Sequence, residues 1–293
     1  MNLASLFRDP PPAYAFEVSE AGIASADLAK APQTEFHPLT PGTVSVSPLR
    51  DNILMPDELA AAVRGLAPVN GNRRRKDIAL ILPDYCARIA VLDFDSFPAD
   101  AKEQISLVRF RMKKSVPFDV ESAAVGYWTQ TSGGKVDVVA AVAPFEIIAR
   151  YEAPFRAAGM NPGFVTTSSL AALHLVEGRQ VMVVAKRSGN VLTLMVLNGG
   201  VLKLIRCLEL GDVAADVYPT IAYVEDQLGA KAEMLLLCGF GAGTEEYQRQ
   251  FQKDLGIPVE ALRSPAGIPG ETNAGLIGFL TKIQHPTSNI RHS

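Results

Sequence analysis

Runs of apolar residues of strand length alternate along the chain with longer stretches of helical period. Residues 13–28 (AYAFEVSEAGIASADL) form two short apolar runs around a small-residue turn, which predicts a β-hairpin. Residues 43–49 (TVSVSPL) alternate with period two and predict a third strand. Pro56 opens a predicted helix over 56–66, with acidic residues in its first turn. Strands follow at 77–84 and 86–94, then an amphipathic helix over 98–114. Its Ile105, Val108 and Met112 fall on one stripe, with Leu107 and Phe110 close by, and Pro117 stops it. Strands are expected at 122–130 and 136–143, a helix over 146–159 closed by Gly159, a short strand around 163–165 and a helix over 168–177.

The same order then recurs. Residues 181–186, 190–198 and 200–210 read as three strands, the last two joined at Asn198-Gly199, a strong hairpin signal. A helix over 211–229 leads to a buried strand at 232–240. A Gly-rich turn, a helix over 244–256, a short strand at 258–262 and a closing helix over 273–283 complete the unit. A hairpin-led sheet with helices thus occurs twice, so the fold class is mixed α/β in two lobes. The first lobe covers 13–178 and carries an inserted small α/β subdomain over about 76–160. The second covers 179–284. A Pro-rich lead (1–12) and a frayed tail (285–293) flank them.

Composition narrows the function. The 293 residues carry a net charge of -3, so no global basic field recruits nucleic acid. The basic run at Arg73, Arg74, Arg75 and Lys76 reads as a solvated turn. The longest apolar runs are strand-length, and the first residues lack a secretory pattern, so direct membrane insertion is not expected. Cys86, Cys207 and Cys238 are scattered in or beside apolar runs and read as buried thiols in a reducing compartment. The four histidines have no metal-ligand spacing. Nucleophile-elbow, zinc-protease, Walker and Cys-x-x-Cys motifs are all missing.

Residues 91–128, a strand and a helix ending in Val116-Pro117-Phe118, followed by acidic residues and a strand, resemble the inserted subdomain of the PilM family, within the actin/Hsp70 superfamily. Residues 136–173 resemble the passage between lobes in that family. The resemblance runs from about 13 to 284 and implies an actin-like (ribonuclease H-like) two-lobed fold. It also implies where nucleotide chemistry would lie. In the superfamily the first hairpin carries an Asp, a Gly two residues on and often a Lys, which organise metal and phosphate. Aligned with them here stand Glu17, Ser19 and Ala24. In the second hairpin Val184 aligns with the second Asp, and Lys186 with the Gly. The Gly239, Gly241, Gly243 turn, which passes the adenosine in relatives, is intact.

The eroded loops imply a pseudo-ATPase, with weak ATPase activity at most and no cofactor. The opposite reading is an active switch or ATPase holding ATP with Mg through Glu17, Ser19, Lys186 and the three glycines. The resemblance further implies a cytoplasmic scaffold of a type IV pilus platform, peripheral to the inner membrane. Its partner would be the N-terminal tail of a PilN-like membrane protein, held between the first lobe and the inserted subdomain, with Phe110, Val116, Pro117 and Phe118 as lining candidates. A homo-oligomeric ring and an indirect link to the pilus motor belong to the same picture. The actin-like part of a type II secretion platform protein is the other assembly reading, and a sugar or acetate kinase the remotest.

Overall fold

The computed structural model describes residues 12–30, 33–67, 75–132 and 134–284. Part of the basic run (Arg73 and Arg74), most of the lead and the 285–293 tail lie outside these residues.

Two five-stranded sheets have the same order. In the first, β3 (Thr34–Pro38), β2 (Gly22–Asp27), β1 (Tyr14–Val18), β4 (Lys76–Leu82) and β8 (Met160–Thr167) lie side by side. In the second the order is β11 (Val201–Glu209), β10 (Val191–Asn198), β9 (Met182–Ser188), β12 (Met234–Cys238) and β13 (Val259–Ala261). Each sheet begins as an antiparallel meander and continues as parallel strands. Parallel strands need helical crossovers, supplied by α1 (Pro56–Leu66) and α3 (Phe145–Ala157) in one lobe. In the other they are α5 (Val213–Leu228) and α6 (Thr244–Leu255). The buried stretches of the central strands, Ile78–Leu82 in β4, Met182–Ala185 in β9 and Leu235–Cys238 in β12, are apolar because both of their faces are covered.

Two short-range expectations change. The third strand of the first lobe is β3, not 43–49. Residues 43–49 instead fold back on 52–55, where Ser45 N donates to Asn52 O at 2.9 Å and Leu54 N to Thr43 O at 2.9 Å. Pro48 and the Asn52 side chain, which bonds Ser47 through both amide atoms, close that loop before a sheet strand can extend. The helix begun at Ser168 is only α4 (Ser168–Ala172), continued as one 3₁₀ turn over Leu173–Leu175.

The insertion is also smaller than 76–160. β4 and β8 belong to the first-lobe sheet, because their apolar side chains complete that lobe's core. The inserted unit comprises β5 (Arg88–Phe94), α2 (Ala101–Met112), β6 (Ala123–Ser132) and β7 (Lys135–Pro144), with sheet order β5-β7-β6. Asp100 caps α2, accepting from Lys102 N and Glu103 N. Val108 and Met112 bury against Leu92, Val138 and Ala140. The other face of this sheet reaches the second lobe, where Trp128 and Val139 share a core with Met195, Leu202 and Ile205. The Gln130 amide seals that contact, donating to Leu202 O and accepting from Leu202 N, both at 3.0 Å.

The lobes meet below through α4 and α7 (Ala274–Gln284), which cross at glycines. A Cβ on Gly278 would stand 2.2 Å from Ala171 O, and one on Gly275 2.7 Å from Ser168 Cα. Only glycine lets the two backbones approach so closely.

Candidate functional site

Two places between the folding units bear on function: a cleft between the lobes and a groove beside the insertion.

The cleft lies at the carboxyl ends of β1, β4 and β9. Glu17 pairs across its hairpin with Ala24, and Lys186 with Thr193, each partner seven residues on. This register makes Lys186, rather than Val184, the equivalent of Glu17 in the second lobe. An acid and a cation therefore occupy matching sites, and both side chains are buried. Asp84, just beyond β4, joins them. Its Oδ2 accepts from Lys186 Nζ at 2.9 Å, from Thr193 Oγ1 at 3.2 Å and from Ser169 Oγ, while its Oδ1 accepts from Ser169 N at 2.6 Å. Glu17 accepts from Ser168 Oγ and, at 2.6 Å, from Leu276 N in the first turn of α7.

Each polar side chain in this cluster has at least one hydrogen-bond partner within the chain itself. Burial pushes the Glu17 carboxyl above its ordinary value, against the opposing pull of Lys186 and of the bonds from Ser168 and Leu276. Burial alone would lower Lys186, but Asp84 and Glu17 outweigh it and hold the ammonium above the usual lysine range.

The hairpin turns above the cluster are equally occupied. Ser19 Oγ donates to Gly22 O at 3.0 Å and closes its own turn. Glu20 accepts from Val46 N at 2.9 Å. Glu271 takes the Gly189 amide at 2.7 Å, and its carbonyl accepts from Ser188 Oγ at 2.7 Å. The space left between the turns is about 30 Å³, room for roughly one water.

The Gly-rich turn has a packing explanation. Gly239 has φ +80°, and a Cβ there would lie 2.1 Å from Arg187 O. Gly241 has φ +54° with open space around it, and the 3₁₀ turn Gly241–Gly243 leads into α6. Among the described residues no group of three or more His, Cys, Asp or Glu is placed to hold a metal. Burial pushes the Cys207 and Cys238 thiols up to about 12 and Cys86 further, so none is a ready nucleophile.

Asp84, Ser168, Ser169, Thr193 and Glu271 were not singled out in the sequence. The one available signal was Asp84, a lone acid closing the apolar run of β4 at the carboxyl end of a parallel strand.

The groove is of another kind. It encloses about 290 Å³ between β6 of the insertion and β8 of the first lobe, floored by Leu82, Ile148 and Leu170. β6 and β8 are each the last strand of their sheet, so an edge of each is unpaired by any strand. Gly126 sits mid-way along β6, where an added Cβ would meet nothing within 4 Å. The four residues expected to line such a groove lie elsewhere. Val116 and Phe118 pack into the insertion's own core, Pro117 is exposed, and Phe110 is 69% exposed on the outer face of α2. The helix buries only its Val108–Met112 stripe, which turns Phe110 away from both sheets.

No protein-family model matches the sequence, and no curated protein matches it. Solved structures do. The repeated meander-plus-parallel sheet, with helices crossing at the base of a cleft, is the actin-like ATPase fold. A protein of that fold and unknown function from Bacteroides thetaiotaomicron matches at TM-score 0.54 and 13% identity, over 92% of this chain and 95% of its own. A chain of the PilM-PilN type IV pilus biogenesis complex is more similar, at TM-score 0.74 and 16% identity, over 92% of this chain and 98% of its own. The cytoplasmic domain of EpsL, an inner-membrane component of the Vibrio cholerae type II secretion system, follows at TM-score 0.49 and 13% identity, over 95% and 96%. At these identities the first two likenesses establish the fold: this chain is an actin-like, two-lobed α/β protein with a small insertion in its first lobe.

Proposed function

We propose that the protein is an assembly scaffold of a type IV pilus inner-membrane platform, binding the N-terminal tail of a PilN-like partner without turning over ATP. The observation that carries this reading is the groove between two strand edges. An extended peptide laid there adds main-chain hydrogen bonds to an unpaired edge while its side chains fill an apolar trough. The similarity to the PilM-PilN complex supplies the class of partner. In this reading contact with the bilayer runs through that partner, from the cytoplasmic side; no described helix is long and apolar enough to cross a membrane.

The cleft supports the pseudo-ATPase part. In the superfamily two acids and two tight turns face metal and phosphate. Here Lys186 supplies a cation from within the chain, and Glu20 and Glu271 take backbone amides of the kind phosphate oxygens would use. Anionic phosphate would have to displace both carboxylates from a space of about 30 Å³.

Binding of a synthetic peptide of the PilN-like tail tests the first part. Wild type binds it, whereas Gly126→Leu, which adds bulk where a Cβ meets open space, loses binding with an unchanged melting temperature. Equal binding by both proteins would sink the groove assignment. Calorimetry with Mg-ATP tests the second part. No heat is expected at millimolar nucleotide, and micromolar affinity would return the chain to the nucleotide-controlled switches.

A further inference from the structure

The insertion and the second lobe stack in layers. Val138 of β7 packs with α2, and its neighbour Val139 packs with the second-lobe sheet at Met195 and Ile205. On the far face of that sheet Leu194 and Val196 meet Val217 and Val224 of α5 and Phe251 of α6. Helix α2 is therefore the outer layer on one side of the stack, and α5 with α6 the outer layer on the other.

The two outer layers carry opposite charge. Residues 101–114 hold five cations, Lys102, Arg109, Arg111, Lys113 and Lys114, against one acid, Glu103. Helices α5 and α6 together hold six acids against two cations. In a chain of net charge -3 the field is thus polarised across the stack. Arg109 is tied to the Val120 and Ala123 carbonyls and Arg111 to Asp93, whereas Lys102, Lys113 and Lys114 reach into solvent.

An aromatic ring stands among these lysines. Two residues span about 200° around a helix, so Phe110, midway between the buried Val108 and Met112, points directly away from the insertion. Lys113 follows one turn on, and the exposed Pro117 lies beyond it. A second copy of this chain offers such a ring no seat on its acidic layer, because among the described residues no large apolar side chain of α5 or α6 is exposed. An anionic bilayer surface meets both requirements. Its phosphates take the ammonium groups at the ends of their flexible stems, and the boundary between headgroups and acyl chains takes the ring.

We infer that the outer face of α2 rests on an anionic lipid surface, with the Phe110 ring in that boundary and Lys102, Lys113 and Lys114 on headgroup phosphates. The acidic layer of α5 and α6 then faces away from the lipid. The contact is marginal and reversible, since it rests on one ring and a few charges, and it is independent of the peptide groove.

Flotation of the full chain with phosphatidylcholine vesicles, either pure or with about one-third phosphatidylglycerol, tests this. The wild type is expected to float with the anionic vesicles only and to be released at about 0.5 M salt. Each lysine is worth roughly fivefold at an anionic surface, so Lys113→Gln combined with Lys114→Gln should lower partitioning roughly twenty-five-fold. Phe110→Ser should lower it about tenfold. Arg249→Gln combined with Lys253→Gln removes the same charge from the opposite layer and should change nothing. All of these positions are exposed, so melting temperatures are expected to hold. Equal flotation with neutral vesicles, or anionic binding that every variant retains, would overturn the inference. No vesicle binding would overturn it too, and self-association of the free chain that Phe110→Ser abolishes would then assign this face to a second copy.

Discussion

Lys186 Nζ lies 2.9 Å from Asp84 Oδ2, and each side chain is only 1% exposed. The pair joins a strand of the second lobe to the end of a strand of the first, at the floor of the cleft. Two buried charges repay their desolvation only when well paired and fully hydrogen-bonded. Ser169 and Thr193 meet that condition for Asp84.

Removing one partner leaves the other charge buried. Lys186→Met and Asp84→Asn are each expected to cost about 3–5 kcal/mol in urea unfolding. The double variant should cost clearly less than the sum, since neither charge is then stranded. Additive losses would mean the two side chains do not act as a pair.

Glu17 gives the cluster a pH dependence. With Glu17 ionised, two carboxylates share one ammonium in a dry site. Its folded pKa is raised by burial, so its stabilising contribution is complete below the ordinary value of 4.5 and is lost as pH rises through the folded value. Gln at this position still accepts from Leu276 N and does not titrate. The stability of Glu17→Gln relative to wild type should therefore increase as pH is raised above 4.5. A difference that stays flat across that range, followed by thermal melts of both proteins, would exclude a titrating Glu17.

The architecture was legible in the sequence because it rests on periodicity. The hairpin turns, the apolar central strands and the helices of the second lobe all follow from local patterns that the tertiary structure respects. The misread elements are those where local pattern and tertiary context diverge. Residues 43–49 alternate like a strand, yet the sheet edge is taken by Thr34–Pro38, whose side chains are mostly exposed and carry no such pattern. Phe110, close to the apolar stripe of α2, was expected to line the partner groove, but α2 presents only a narrow face to a three-stranded sheet. The cleft was half legible. Glu17 stood out at the position of the family's first acid and Lys186 at that of a Gly in the second hairpin, while Asp84 and Glu271 come from distant segments that no spacing rule connects. Matching Lys186 to Glu17 needed the hairpin register itself.

The glycines of the 239–243 turn should not be equivalent. At Gly239 a side chain meets the Arg187 carbonyl and requires φ +80°. At Gly241 the same left-handed backbone has open space around it. Gly239→Ala should lower stability by more than the ~1 kcal/mol expected for left-handed strain alone. Gly241→Ala should cost about that much, and Gly241→Asn less. Equal melting temperatures for the two alanine variants would show that the approach of β12 to the end of β9 is looser than the backbone implies.

The crossing of α4 and α7 carries a related and longer-range prediction. A methyl on Gly278 meets the Ala171 carbonyl, a backbone atom that cannot rotate away. Overpacking of this sort costs roughly 1–3 kcal/mol and is relieved by moving one helix. A shift of α7 would pull on its Leu276 amide, which is bonded to Glu17 at 2.6 Å. Gly278→Ala should therefore lower the melting temperature and speed hydrogen exchange at Leu276, while Gly126→Ala, in open space, does neither. Destabilisation with Leu276 still protected would place the adjustment in α4, and the cleft cluster would then be insulated from the crossing beneath it.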